Sequence, residues 1–125
     1  MKKGKKRAAT SRTPSRDVIR LVNLDNDDRR LLEELPSLLW VGSKTEAIVQ
    51  CLRYTLRVCE RTPSKARAFV QEGAVGATKG KPHCMRLSPK ESGALEAVAK
   101  TLNVPLTEAA RVVIRLGHDH FSTEG

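Results

Sequence analysis

The 125-residue chain has very few aromatic residues, one Trp, one Tyr and two Phe, or 3% of the total. Its core must therefore be packed from Leu, Val, Ile and Ala, the material of small helical interiors. The same scarcity counts against an RNA-binding protein that stacks bases on aromatic platforms. No apolar run approaches the roughly 20 residues of a membrane span. The basic N-terminus leads into Ser, Thr and Pro rather than an apolar signal segment, so a soluble intracellular protein is expected. Three cysteines, an odd number without framework spacing, argue against a disulfide scaffold and are read as small buried or half-buried apolar residues. Neither Cys-x-x-Cys nor His-x-x-x-His occurs, which leaves His83, Cys84, His118 and His120 without the spacing of a zinc site. A glycine-rich phosphate loop, paired carboxylates on apolar ground and a Ser-His or Cys-His constellation are missing too, so neither an enzyme nor a cofactor is expected.

Acidic residues are absent from the first sixteen positions, which hold Lys2, Lys3, Lys5, Lys6, Arg7, Arg12 and Arg16 for a charge of +7. Residues 60–82 add +3, whereas 17–59 carry −1 and 83–125 carry 0, giving the net +9. Basic arm and linker flank neutral units. That distribution suits a disordered arm lying along a polyanion, because phosphate neutralisation by Lys and Arg releases counterions.

What the chain does have is the same pattern twice. Displaced by 63 positions, Leu24 falls on Leu87, Leu32 on Leu95, Leu35 on Val98, Leu39 on Leu102 and Val41 on Val104; Asp25 and Asp28 fall on Ser88 and Glu91. Beyond Val41 the displacement is 62, pairing Thr45-Glu46-Ala47 with Thr107-Glu108-Ala109 and Arg53 with Arg115. The one-residue change lies in a turn, where it leaves the apolar faces of the helices in phase. A unit this small cannot bury its own apolar face, so the copies are expected to complete one core.

Within each copy the order is strand, helix, turn, helix. Residues 17–24 are rich in β-branched and aliphatic side chains and read as a strand; 83–87 read as the second. Asp25 caps a helix with Asp28 beside its N-terminus, and Leu31, Leu32, Leu35, Leu38 and Leu39 form its buried stripe, with Pro36 expected to kink or break it. Trp40 is expected to plug the core over the turn. Ser43 and Glu46 predict a capping box for the next helix, which buries Ala47, Ile48, Cys51, Leu52, Thr55, Val58 and Cys59. Thr62-Pro63 starts a short helix through Phe69 and Val70 inside the linker. In the second copy Ser88-Pro89-Lys90-Glu91 combines cap, proline and box glutamate. Ala94, Leu95, Val98 and Leu102 are expected inward, and a last helix from Thr107 buries Ala109, Ala110, Val113 and Ile114 and ends near Gly117.

Met85-Arg86-Leu87-Ser88-Pro89-Lys90-Glu91 at the strand-to-helix junction and Leu106-Thr107-Glu108-Ala109-Ala110 at the second-helix start resemble the ribbon-helix-helix family of Arc- and MetJ-like repressors. The likeness covers residues 17–59 and 83–120, joined in one chain as in TraY-like tandem members. It implies a mainly α fold with a short antiparallel β-ribbon, a tandem ribbon-helix-helix forming a single-chain pseudo-dimer, with the ribbon in the major groove and second-helix N-termini on phosphates. The implied division is a basic arm at 1–16, a first unit at 17–59, a linker at 60–82 and a second unit at 83–125. Twenty-three linker residues span up to about 75 Å, ample for the return to the ribbon.

Strand parity then assigns faces. Leu24, Leu87, Val22 and Met85 point inward. Asn23 set against Arg86, and Leu21 set against Cys84, face the groove, Arg86 suited to guanine and Asn23 to adenine. Arg20 is a further candidate base reader although its parity, like that of His83, is inward. The phosphate contacts expected are Ser43, Lys44, Thr45, Leu106 and Thr107, with Lys2, Lys3, Lys5, Lys6 and Arg7 of the arm. The expected function is sequence-specific binding of double-stranded DNA by a protein that is monomeric in solution, most simply a transcriptional repressor; a plasmid transfer or partition accessory protein and an antitoxin-type adaptor are the alternatives.

Overall fold

Residues 16–71 and 81–124 are described by a computed structural model of the chain. The strands are β1 (Val18–Leu24) and β2 (Lys81–Leu87), and the helices are α1 (Asn26–Leu39), α2 (Lys44–Arg61), α3 (Pro63–Gln71), α4 (Pro89–Leu102) and α5 (Leu106–Glu124). The protein is mainly helical with one small two-stranded sheet. Strand, helix and helix occur in the same order twice, and β1 and α1 match β2 and α4 in length, 7 and 14 residues each. The turn of four residues, 40–43, becomes three, 103–105, which places the one-residue change of the repeat in that loop.

β1 and β2 pair antiparallel, with Leu21 opposite Cys84 at the centre and Val18 opposite Leu87 and Leu24 opposite Lys81 at the ends. Leu21 and Cys84 are the pair related by the 63-residue displacement, as an antiparallel pairing of equivalent strands requires. Alternation sorts the side chains: Val22, Leu24, Met85 and Leu87 are buried, and their neighbours Leu21, Asn23, Cys84 and Arg86 are exposed. β2 begins two residues before the expected start and includes Pro82. A two-stranded ribbon leaves each strand one unpaired edge, where a missing N–H is tolerated.

Both ribbon strands run straight into a capped helix. Asp25 and Asp28 form a reciprocal box, Asp28 N donating to Asp25 Oδ1 at 2.7 Å and Asp25 N to Asp28 Oδ2 at 3.0 Å. Ser88 and Glu91 repeat it at 3.1 and 2.9 Å. Each box satisfies two donors that a helix start leaves open. The predicted box at Ser43 is only half formed: Ser43 Oγ accepts from Glu46 N, but the Glu46 carboxylate accepts from Arg16 instead.

The inner ribbon face lies on a single core to which α1 contributes Leu32 and Leu35, α4 Leu95, Val98 and Leu102, α2 Ile48, Cys51 and Leu52, and α5 Val113 and Ile114. The linker helix α3 adds Ala66 to it, with Phe69 and Val70 packed alongside. Ala94, expected inside, is half-buried. α1 continues through Pro36 to Leu39: the proline removes only its own backbone donor, and its carbonyl still accepts from the Trp40 N–H.

Two further expectations are corrected. Trp40 is no core plug: it is 94% exposed. It ends α1 in the left-handed region, φ 57°, as Asn103 ends α4 at φ 57°, and this reversal packs Val41 on the core in its place. Asparagine tolerates that conformation; for tryptophan it costs about 1–2 kcal/mol. The last helix does not stop at Gly117 but runs to Glu124. Its final turns are anchored on α2, where Tyr54 stacks on His120 with ring centroids 3.9 Å apart and meets Phe121 edge-on.

Gly117 marks the close crossing of α5 and α2. A Cβ there would lie 2.6 Å from Cys51 Cβ, with Cys51 Sγ also in the way. In an open helix Gly→Ala gains about 1 kcal/mol, but here the helices must part. Gly117→Ala is therefore expected to lose about 1–3 kcal/mol net. Urea unfolding midpoints read this directly, and a raised midpoint would show that the crossing is slack.

Candidate nucleic-acid interface

The ribbon's outer face presents three cross-strand pairs: Ile19 with Arg86, Leu21 with Cys84 and Asn23 with Pro82. All six side chains are exposed. Ile19 at 55% and Leu21 at 63% are two of three large exposed hydrophobics among the described residues, the third being Trp40. The predicted outward set, Asn23, Arg86, Leu21 and Cys84, is thus brought to one surface. Its internal arrangement differs from the expectation: Asn23 does not face Arg86 but lies four positions from Ile19, Arg86's neighbour, about 13 Å along the ribbon at 3.3 Å per residue. Asn23 and Arg86 occupy equivalent places in the two copies, and antiparallel pairing sends equivalent residues to opposite ends. Ile19 was missed, although the same odd parity that marks Leu21 and Asn23 marks it too.

Arg20 is not on this face. Its Nη1 donates to Ser92 Oγ at 2.9 Å and Glu96 Oε2 at 2.8 Å on α4, so its inward parity holds and the guanidinium is committed to the helix behind the ribbon. His83 likewise stays inward and half-buried, its pKa lowered by burial first and then by the positive charges of Arg29 and Lys44. Arg29 also donates to the Leu24 and Pro82 carbonyls at 3.4 and 3.3 Å.

The two second-helix starts flank the sheet differently. Ser43 and Lys44 are exposed and Thr45 half-buried, while Leu106 and Thr107 are half-buried. Where Ser43 supplies α2 with a hydroxyl acceptor, α5 is preceded by Pro105, which has none, so its first amides are left to other acceptors. Lys2, Lys3, Lys5, Lys6 and Arg7 lie outside the described residues.

Arg16, read as part of the basic arm, is a structural residue instead. Its Nε and Nη2 donate to the two Glu91 carboxylate oxygens at 3.0 and 3.1 Å, and Nη1 to Glu46 at 2.8 Å. Burial pushes the Glu91 pKa up, but the bonds from Arg16 and the Ser88 amide outweigh it and hold the carboxyl below its ordinary range. The equivalent box in the other copy is served from a different direction: Arg111 on α5 donates to Asp28 at 2.7 Å and to Asp25 at 2.8 Å, and Arg115 contacts the same two carboxylates. Asp28 is fully buried and Arg111 is 3% exposed. Neither ion-pair cluster was foreseen, and the only signal for the second was two arginines at i and i+4 on an otherwise apolar helix face.

Among the three cysteines, Cys51 and Cys59 are buried as expected and Cys84 is exposed at the ribbon centre. Burial pushes the Cys51 thiol up to about 12, so it is inert as a nucleophile. No helix among the described residues is long and apolar enough to cross a membrane. Comparisons of the chain with protein-family models, with curated proteins and with solved structures find no match.

Proposed function

We propose that this chain is a sequence-specific double-stranded DNA-binding protein of the ribbon-helix-helix kind, acting as a transcriptional repressor by occupying an operator. The observation that carries the reading is the exposed ribbon face: one face closes the core, while the other holds Arg86, Asn23 and two exposed aliphatic side chains over which no other described residue packs. The major groove, about 12 Å wide, admits a two-stranded ribbon. Each side chain then has a matching base edge: Arg86 for the guanine O6 and N7 acceptors, Asn23 for adenine N6 and N7, and Ile19 and Leu21 for the thymine methyl. Exposed Lys44 at the start of α2 and the first amides of α5, which follow Pro105 with no side-chain acceptor on it, supply contacts to backbone phosphates. A plasmid transfer accessory role uses the same chemistry on an origin rather than an operator.

Because the two strands present unlike side chains, the preferred site is asymmetric, with the guanine and adenine contacts about four base-pair steps apart, the 13 Å ribbon spacing divided by about 3.4 Å per step. Selection of bound duplexes from a random pool tests this. Arg86→Ala should relax preference at one guanine at a cost of about 1–3 kcal/mol and leave the salt dependence nearly unchanged. A perfectly palindromic selected site, unaltered base preference in the variant, or no enriched duplex at all would each defeat the reading.

A further inference from the structure

A cavity of about 380 Å³ opens between α2 and the start of α4, floored by Val49 and Leu52, walled by Leu56 and Ala94 and rimmed by Arg53 and Lys90. Its origin lies in the repeat. The equivalents of Val49, Leu56 and Ala94 in the other copy are Arg111, His118 and Leu31. There Arg111 extends to the α1 cap, where it bonds Asp28 and Asp25, and His118 bonds Glu34 at 2.8 Å. At the α2–α4 contact Val49 stands in place of that arginine and Ala94 in place of the leucine, and the volume they would fill is left open at the corresponding place.

The charges differ in the same systematic way. Arg115, the equivalent of Arg53, is engaged by Asp25 and Asp28. Arg53 lines the cavity with Ser88 and Glu91 but bonds neither, and Glu91 is held by Arg16 through both carboxylate oxygens. Lys90 stands where the other copy has Asp27. Arg53 and Lys90 are both exposed, with no ion pair to another described residue. Two cations without an ion pair among the described residues therefore stand at the rim of an apolar floor, with Val49 at 1% and Leu52 at 2% exposure. The volume lies within the range of small-molecule pockets, about 300–1,000 Å³. Charge-assisted hydrogen bonds to an anion at the rim, with an apolar body on the floor, satisfy both parts.

We infer that this cavity binds a small amphipathic monoanion, a carboxylate carried on an aliphatic or aryl body. Arg53 and Lys90 take the carboxylate and Val49, Leu52, Leu56 and Ala94 take the body. This inference is independent of the DNA reading, since it rests on the cavity and its charges alone.

Decanoate is a suitable probe, titrated into the full chain and followed by methyl NMR. Saturable shifts are expected at Val49, Leu52, Leu56 and Ala94, with Leu32 and Leu35 of α1 unmoved. Decanol, neutral with the same chain length, should bind about tenfold more weakly for want of the charge-assisted bonds. Ala94→Leu restores the side chain of the other copy at a half-buried position and should abolish the shifts. Arg53→Gln, at an exposed position that leaves the fold intact, should weaken decanoate about as much as removing its charge does. No saturable shift, decanoate binding unaffected by either substitution, or decanol binding as tightly as decanoate would overturn the proposal.

Discussion

Replacing Asp28 with alanine is expected to cost about 3–5 kcal/mol of folding stability, the penalty of removing one member of a buried ion pair. Asp28 is fully buried and receives the Arg111 Nε at 2.7 Å and the Arg115 Nε, while its Oδ2 also accepts from the Asp25 amide. Without it Arg111, 3% exposed, keeps its charge in a site that water does not reach, and the α1 capping box is lost as well. A domain of this size has about 5–15 kcal/mol in total, so the variant should unfold at a much lower urea concentration. Asp28→Asn retains the volume and the acceptor oxygen while removing the charge, and should fall between the two. Arg16→Gln, at the more exposed Glu46 and Glu91 cluster, should cost distinctly less. Equal midpoints for Asp28→Ala and the parent chain would show that α1 and α5 hold together without this pair.

Neutralising Lys2, Lys3, Lys5, Lys6, Arg7 and Arg12 together with glutamine should change duplex binding more than any single ribbon substitution. If all six contact phosphates, the slope of log affinity against log salt falls by about 5, and the affinity change between 50 and 200 mM salt shrinks by about a thousandfold. Base preference should persist, because phosphate contacts position without reading sequence. Arg16 is left out of this set since it is bound to Glu91 and Glu46; substituting it should affect folding rather than the salt slope. Fluorescence anisotropy with one selected and one random duplex at several salt concentrations separates these effects. An unchanged slope, or lost base preference at constant slope, would remove the arm from the proposed interface.

The elements legible in the sequence are those set by short-range chemistry. Strand parity at Leu21 to Leu24 and Cys84 to Leu87 put the buried and exposed sides where the structure has them, because alternation follows from the pleat alone. The strand-to-helix junctions at Asp25 and Ser88 were equally clear, since a cap and its partner lie within one turn. Pro105 and the half box at Ser43 show the limit: whether Glu46 returns to its own cap or leaves for Arg16 depends on a residue 30 positions away. Trp40 failed for a similar reason. Apolar character suggested burial, but the left-handed end of α1 gives the covering position to Val41.

The duplicated pattern in the sequence determined the order of elements and even the centre of the ribbon, since a 63-residue displacement pairs Leu21 with Cys84 before any fold is known. Tertiary structure alone decided where the two copies part company. Arg111 and Asp28 are 83 positions apart, and Arg16 and Glu91 are 75 apart. Ion pairs over such separations are specified by how helices pack rather than by any local pattern. The same packing turns Val49 in place of Arg111 and Ala94 in place of Leu31, two small differences along the chain, into an open cavity, because a close-packed interior shows every missing side chain as volume.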